Sequence, residues 1–412
     1  MHRRTNTLFS LLLTFALTIG VVVLGVGTTG TSTITVLPGD SIQYAINRAP
    51  SGAIICLTAG IWDECITISK SLTLRGSGAT STFLYAADDT EARSVIKITS
   101  DQEIDVRIEH LTIKGTRRQY EGMNVEELEP LSRIVAEMRW DGIAADKAVN
   151  VTIADSTVTL CNHAIILWTR GEKLMPFEGN LSMVNSIISQ SKYGLYMLGG
   201  NASVIGSSFL ENDDTVRISS DGEIDAVDSY FDRNEGPIDI STHAYGSFTN
   251  CSISQNSGFG IFLMTTRGVS IANSRIENNG SVGVFAVAGQ STIMNSRISA
   301  NGDGILAGTE SEISITDCTI AENGVIGWGG NGITIEDSAH VTLIGNDIVN
   351  NAGYGVALDE RFDPFAGYVG GHGNRIIVPS EVDGNGEGAV SPAELNFLMT
   401  SEGGELDRRA SP

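Results

Sequence analysis

The chain has 412 residues, 41% of them hydrophobic and 18% charged, and a formal net charge of −23. An acid excess of that size argues against nucleic acid or an anionic membrane as partner, and suits cation binding and an extracellular setting. Its five cysteines, at positions 56, 65, 161, 251 and 318, are odd in number, so they cannot all pair within one chain.

Residues 1–30 read as an export signal. His2, Arg3 and Arg4 precede an apolar run from Leu8 to Val26, followed by small residues through Ser32. The run is long enough to stay in a membrane as an anchor. The Gly and Thr residues after it favour cleavage near Gly27–Ser32. Nothing later reads as a second span, so a membrane is reached only through residues 8–26, and the expected location is secreted, periplasmic or at the cell surface.

Residues 38–78 predict a cap and the first strands. Asp40 or Ser41 is placed to cap a short helix whose apolar face is Ile42, Ala45 and Ile46, and Pro50 and Gly52 end it. Cys56 and Cys65 form the one pair placed for a disulfide, and no two cysteines have zinc-ligand spacing. IEHLTIKG (108–115) predicts another strand unit. Residues 116–140 then form an excess in which Val125, Leu128, Leu131, Val135 and Met138 recur at three and four, an amphipathic helical insert broken by Pro130.

From Ser156 onward one phrase repeats. A small residue marks each copy: Ser156, Ser186, Ser207, Ser229, Cys251, Ser274, Ser296, Cys318 and Asn346. The interior steps are 21–23 residues, and only the first (30) and last (28) are longer. Two residues after each marker stand Val158, Ile188, Phe209, Phe231, Ile253, Ile276, Ile298, Ile320 and Ile348. Five after it, from the third copy on, stand Asn212, Asn234, Asn256, Asn279, Asn301, Asn323 and Asn351. A fixed period of this size means stacked units, none able to bury its apolar face alone. Strands and turns use up the 22 residues and leave no room for the helix of a leucine-rich repeat. A parallel β-helix remains. The Asn column is read as structural, with the left-handed turn conformation as one reason for choosing Asn.

Two further excesses, at 169–180 and around 325–330, flank one strand column, with Trp140, Trp168 and Trp328 in or beside the loops. That column is the predicted floor of a groove. Its outward residues are Ile166, Tyr196, Arg217, Asp239, Phe262, Phe285, Leu306, Thr334 and Ala357. Arg217 and Asp239 are adjacent. Asp213 and Asp214 precede Arg217 in the same coil, and Asp221 and His243, 22 residues apart, are expected to stack just beyond it. Acids, an Arg and a His beside exposed rings are what a polysaccharide site uses, the rings stacking on sugar faces and the polar groups moving protons or binding cations. In a catalytic reading Asp239 and Asp221 serve as acid or cation ligand, Arg217 holds a uronate carboxylate and His243 is the base, with Asp214 a further catalytic candidate. Tyr196, Phe262, Phe285 and Trp168 would bind substrate. The alternative is an ion pair on a solvated strand. His163, near Trp168, is a lesser candidate.

The tail, DGNGEGAVSPAEL (383–395), fits a calcium-loop pattern through Asp383, Asn385, Glu387, Gly388 and Glu394, followed by a short helix from Ser391 to Thr400. Calcium is thus the one cofactor the sequence suggests. The competing reading is an acidic linker with a capping helix.

The helix, strand, Gly-aromatic turn and "KSLTLRG" strand of residues 38–78, with the 22-residue coil and Asn column, resemble the right-handed β-helices of the NosD-type and pectate-lyase-like proteins. The resemblance covers residues 38–378 and speaks to architecture. It implies an all-β chain, a right-handed parallel β-helix over 31–378 with an N-terminal helical cap, and an acidic tail over 379–412. The acidic doublet Asp213-Asp214 is similar to that of polygalacturonases, but the Gly-His-Gly expected a coil later is absent. No clear calcium-Asp set identifies a pectate lyase. The expected function is carbohydrate interaction with a polysaccharide or cell-surface glycan. A polysaccharide lyase, hydrolase or uronate epimerase is the enzymatic alternative, and an accessory β-helix binding a protein partner the third.

Overall fold

The computed structural model describes residues 31–87, 93–118, 140–168, 176–324, 329–360, 367–377, 385, 387–391, 395, 398–400 and 404–406. The expected leader and the core of the insert (119–139) lie outside these residues, as do loop residues 169–175 and 325–328.

A typical coil is built from three short strands, as in Asn201–Ile205, Ser208–Leu210 and Asp214–Ser219, while Ile261–Ala272 and Val284–Met294 each run through a corner as one longer strand. Strands of successive coils pair in parallel at constant register, for example Phe209 with Phe231 and Phe231 with Ile253. This is the expected β-helix. Because side chains alternate along a strand, the same offset in every coil points inward. Val158, Ile188, Phe209, Phe231, Ile253, Ile276, Ile298, Ile320 and Ile348 are all buried to within 1%. Within that column the Phe209 and Phe231 rings stack with centroids 5.0 Å apart.

Two internal ladders lock the turns. In the first, each backbone N–H donates to the marker side chain of the next coil: Ser186 to Ser207 (3.1 Å), Cys251 to Ser274 (3.0 Å), Cys318 to Asn346 (2.9 Å). In the second, each Asn Oδ1 accepts both the N–H and the Nδ2 of the Asn one coil before it, as Asn279 does from Asn256 (3.1 and 2.9 Å). Each Asn Nδ2 also donates to a strand carbonyl, Asn279 to Ile253 O at 3.2 Å. One expectation is corrected here. The ladder Asn residues do not occupy the left-handed region; the residue before each one does, among them Glu211, Gln255, Asn278, Ala300 and Glu322. Asn is required for a carboxamide that both accepts and donates, not for its tolerance of positive φ.

At the N-terminal end Ile42–Arg48 forms the cap helix, with Ile42, Ala45 and Ile46 buried. Ser41 accepts from Tyr44 N at 3.1 Å, and the Glu64 carboxylate takes the N–H groups of Ile42 (2.7 Å) and Gln43 (3.1 Å). Four orphan N–H groups at a helix start need such acceptors. The candidate Cys56–Cys65 disulfide is not formed.

The coils continue past the expected boundary at 378. Gly388–Ser391 pairs in parallel with Tyr354–Leu358, and Gly404–Leu406 pairs antiparallel with Tyr368–His372. Asn385 is fully buried as the last rung of the Asn ladder, its Oδ1 taking Asn351 N and Nδ2, each at 2.9 Å. Gly388–Ser391 of the expected loop is thus a further strand, and continuing the ladder through Asn385 satisfies buried donors that a solvated loop would leave unmet; most of the expected helix over 391–400 lies outside the described residues. Glu387 is exposed, and Asp383 and Glu394 lie outside the described residues. Leu395 and Leu398 are fully buried against the last coil, which gives them the covering role expected of the tail.

Candidate functional site

The predicted column keeps its register residue for residue, although Ile166, Thr334 and Ala357 at its two ends are buried. Ile166 pairs with Tyr196, Tyr196 with Arg217, Arg217 with Asp239, Asp239 with Phe262, Phe262 with Phe285 and Phe285 with Leu306. The column then runs on through Thr334 to Ala357. Strand register alone places these side chains, since a slip of one residue would turn the whole set inward.

A second column runs beside it, three residues earlier in each strand: His163 pairs with Tyr193, and Tyr193 with Asp214. Asp141, one coil before His163, accepts its Nδ1 at 2.8 Å. The two columns form one strip. From the coil of Asp141 to that of Phe285 there are six steps, roughly 29 Å at the usual strand spacing.

At its centre Arg217 Nε lies 3.1 Å from Asp239 Oδ2, and Arg217 Nη2 lies 3.4 Å from Asp214 Oδ2. The side chains are 40%, 15% and 28% exposed for Arg217, Asp239 and Asp214, so the acids sit deeper than the base. Burial pushes both carboxyls above the usual Asp value; Arg217 pulls each back without reversing it. Asp239 Oδ1 is buried without a hydrogen bond. Gly236 makes room for the trio, because a Cβ there would stand 2.3 Å from Asp214 Oδ1.

Rings flank the trio on both sides. Tyr193 and Tyr196 lie edge to face with centroids 6.2 Å apart, and His163 stacks on Tyr193 at 4.7 Å. Beyond Asp239, Phe259, Phe262 and Phe285 form a cluster at 5.4–6.0 Å. Phe262 and Phe285 are half-buried. Trp168 follows the strand that carries His163, its N–H donating to Ala145 O at 3.2 Å.

Two expected members are not part of this centre. Asp221 is exposed and pairs with Arg267 at 3.0 Å rather than with His243. His243 is exposed in the same left-handed turn. Both residues sit in the corner that leaves the strand, where chain direction carries them off the floor. The sequence undervalued His163. Its spacing of 22 residues from Asp141 was the available signal, since one coil length places the two side by side. The His163 Nδ1 faces both Asp141 Oδ1 at 2.8 Å and Asn162 Nδ2 at 2.9 Å. Among the described residues no three His, Cys, Asp or Glu side chains converge as metal ligands.

The family model described as "Right handed beta helix region" matches residues 141–291 and 215–364. Among solved structures, the periplasmic alginate epimerase AlgG is 12% identical, with a TM-score of 0.56 over 80% of this chain and 81% of that one. The A-module of the mannuronan C-5 epimerase AlgE4 of Azotobacter vinelandii is 16% identical, with a TM-score of 0.38 over 77% of this chain and 84% of that one. No curated protein sequence matches the chain. At such identities the structural likeness speaks to the fold alone.

Proposed function

The chain belongs to the right-handed β-helix family, and on that premise we propose that it binds a polysaccharide along the strip from His163 to Phe285. The observation that carries the reading is the strip itself. Half-exposed rings on either side of a charged trio stand on one rigid floor, a spacing suited to successive units of a linear glycan. Ring faces take the apolar faces of sugars, and the carboxylates and Arg217 take their hydroxyls. A fold shared with a periplasmic alginate epimerase is in keeping with this class of ligand. The leader-like residues 1–30 agree with a location outside the cytoplasm.

Titration calorimetry against a panel of soluble polysaccharides tests the proposal. Phe262→Ala and Tyr196→Ala should each weaken binding about tenfold, the loss of one stacked ring. Binding to no polysaccharide, or binding that both substitutions leave unchanged, would refute it.

A second reading rests on the deep carboxyls. Burial keeps protons on Asp239 and Asp214 to higher pH than on a solvated Asp, which suits a general acid. In that reading the protein is a hydrolase, lyase or epimerase, and Asp239→Asn abolishes turnover while retaining binding. Binding without turnover in the unmodified protein rejects it.

A further inference from the structure

The charges around the strip decide what kind of glycan it takes, given that the strip binds one. On the strip and in the turn just before it, from Lys192 to Asp239, two cations stand among four carboxylates. Lys192, Asp213 and Glu235 occupy the turn just before the strip, each following a ladder residue, and Asp214, Arg217 and Asp239 stand on it. Lys192 lies over the Tyr193 ring, 5.5 Å from its centroid, and so caps one ring. Arg217 already stands between two carboxylates, at 3.1 and 3.4 Å. A sugar carboxylate arriving there would meet a guanidinium whose charge is matched and two acids of its own sign. Asp141, one coil below His163, adds another carboxylate to the same strip.

We infer that the strip selects glycans without acidic groups and excludes polyuronates. In this reading Arg217 is not the holder of a uronate carboxylate. Its physical task is to keep two deep carboxylates in place as acceptors for sugar hydroxyls. Hydroxyl donors satisfy those oxygens, whereas an acidic sugar leaves them opposed to a like charge. The long-range field points the same way, because the whole chain carries −23.

The test uses the full chain and six probes: xylan, glucomannan and chitosan oligosaccharides, alginate, polygalacturonate, and alginate with added calcium. Xylan or glucomannan should bind, and chitosan oligosaccharides should bind more tightly at low salt than at high salt. Alginate and polygalacturonate should bind at least about tenfold more weakly than the best neutral glycan. The paired substitution Asp214→Asn with Asp239→Asn, each side chain replaced by one of the same shape, should narrow that gap by about tenfold while circular dichroism and melting show an intact fold. Alginate or polygalacturonate binding the unmodified chain as well as neutral glycans do, with or without calcium, overturns the inference and leaves glycan binding standing. Silence on every probe overturns both.

Discussion

Replacing Asn279 by Ala should cost far more than its size suggests. Its carboxamide is fully buried, accepts from Asn256 N and Nδ2 at 3.1 and 2.9 Å, and donates to Ile253 O and Asn301 Oδ1 at 3.2 and 2.9 Å. Asn256 Nδ2 keeps its bond to Phe231 O, and Asn301 Oδ1 keeps the Asn279 N–H. Two donor hydrogens are then left without an acceptor in a dry interior: the Asn256 N–H and one hydrogen of its Nδ2. At about 1–3 kcal/mol each the loss is about 2–6 kcal/mol. The control is Asn180→Ala in the exposed ladder, where Asn180 also bonds to Asn150 (2.8 Å) and Asn201 (3.0 Å) but water replaces the partners; its cost should stay within about 0.5 kcal/mol. Urea unfolding gives the totals, and native-state amide exchange at Asn256 reads the local opening, which matters because a solenoid loses stability coil by coil. Equal costs for the two variants, with Asn256 protection unchanged, would refute the ladder as a source of stability.

Other consequences are open to direct measurement. Burial holds the Cys251 and Cys318 thiols up at about 11, so both should resist a thiol reagent at pH 8 in the native protein and react once it is unfolded. Asp239→Asn should raise the melting temperature at pH 7: the folded carboxyl is raised above its unfolded value, so the native state binds more protons, and stability falls as pH rises from about 3.8 through the folded value. The gap between the variant and the parent should therefore close as pH is lowered toward 4, and a gap that widens instead would contradict the burial argument. Gly236→Ala should weaken glycan binding by displacing Asp214, against which its Cβ would press at 2.3 Å; unchanged affinity would show that the trio's placement does not matter.

The period made the coils legible, because stacking turns a sequence spacing into a spatial neighbour. The same rule places Tyr196, Arg217, Asp239, Phe262 and Phe285 in one column. Where it misled, the cause was local. Asp221 and His243 keep the spacing, yet they sit in a corner with positive φ, where side-chain direction no longer follows strand alternation. In the tail the pattern hid a second role: Asn385, read as a candidate ligand, takes the Asn351 N–H and Nδ2 groups as a rung of the ladder. The marker column, used only to count coils, turned out to be a second ladder, because a hydroxyl or a carboxamide can each accept the same N–H.

The two ladders also explain how the strip can hold groups that weaken the fold. Asp239 keeps a buried oxygen without a partner, and both acids are held where ionisation is disfavoured. Yet the backbone that carries them is fixed from the inside, by Phe209, Phe231 and Ile253 in one column and by Asn212, Asn234 and Asn256 in the next. Those contacts do not involve the outward side chains at all. Strain on the floor is therefore offset a few ångströms away by a scaffold whose register it cannot shift, and the outward residues are left to be chosen by what they bind. A substitution on the strip should accordingly change affinity with little loss of stability, and a substitution in a ladder should do the reverse.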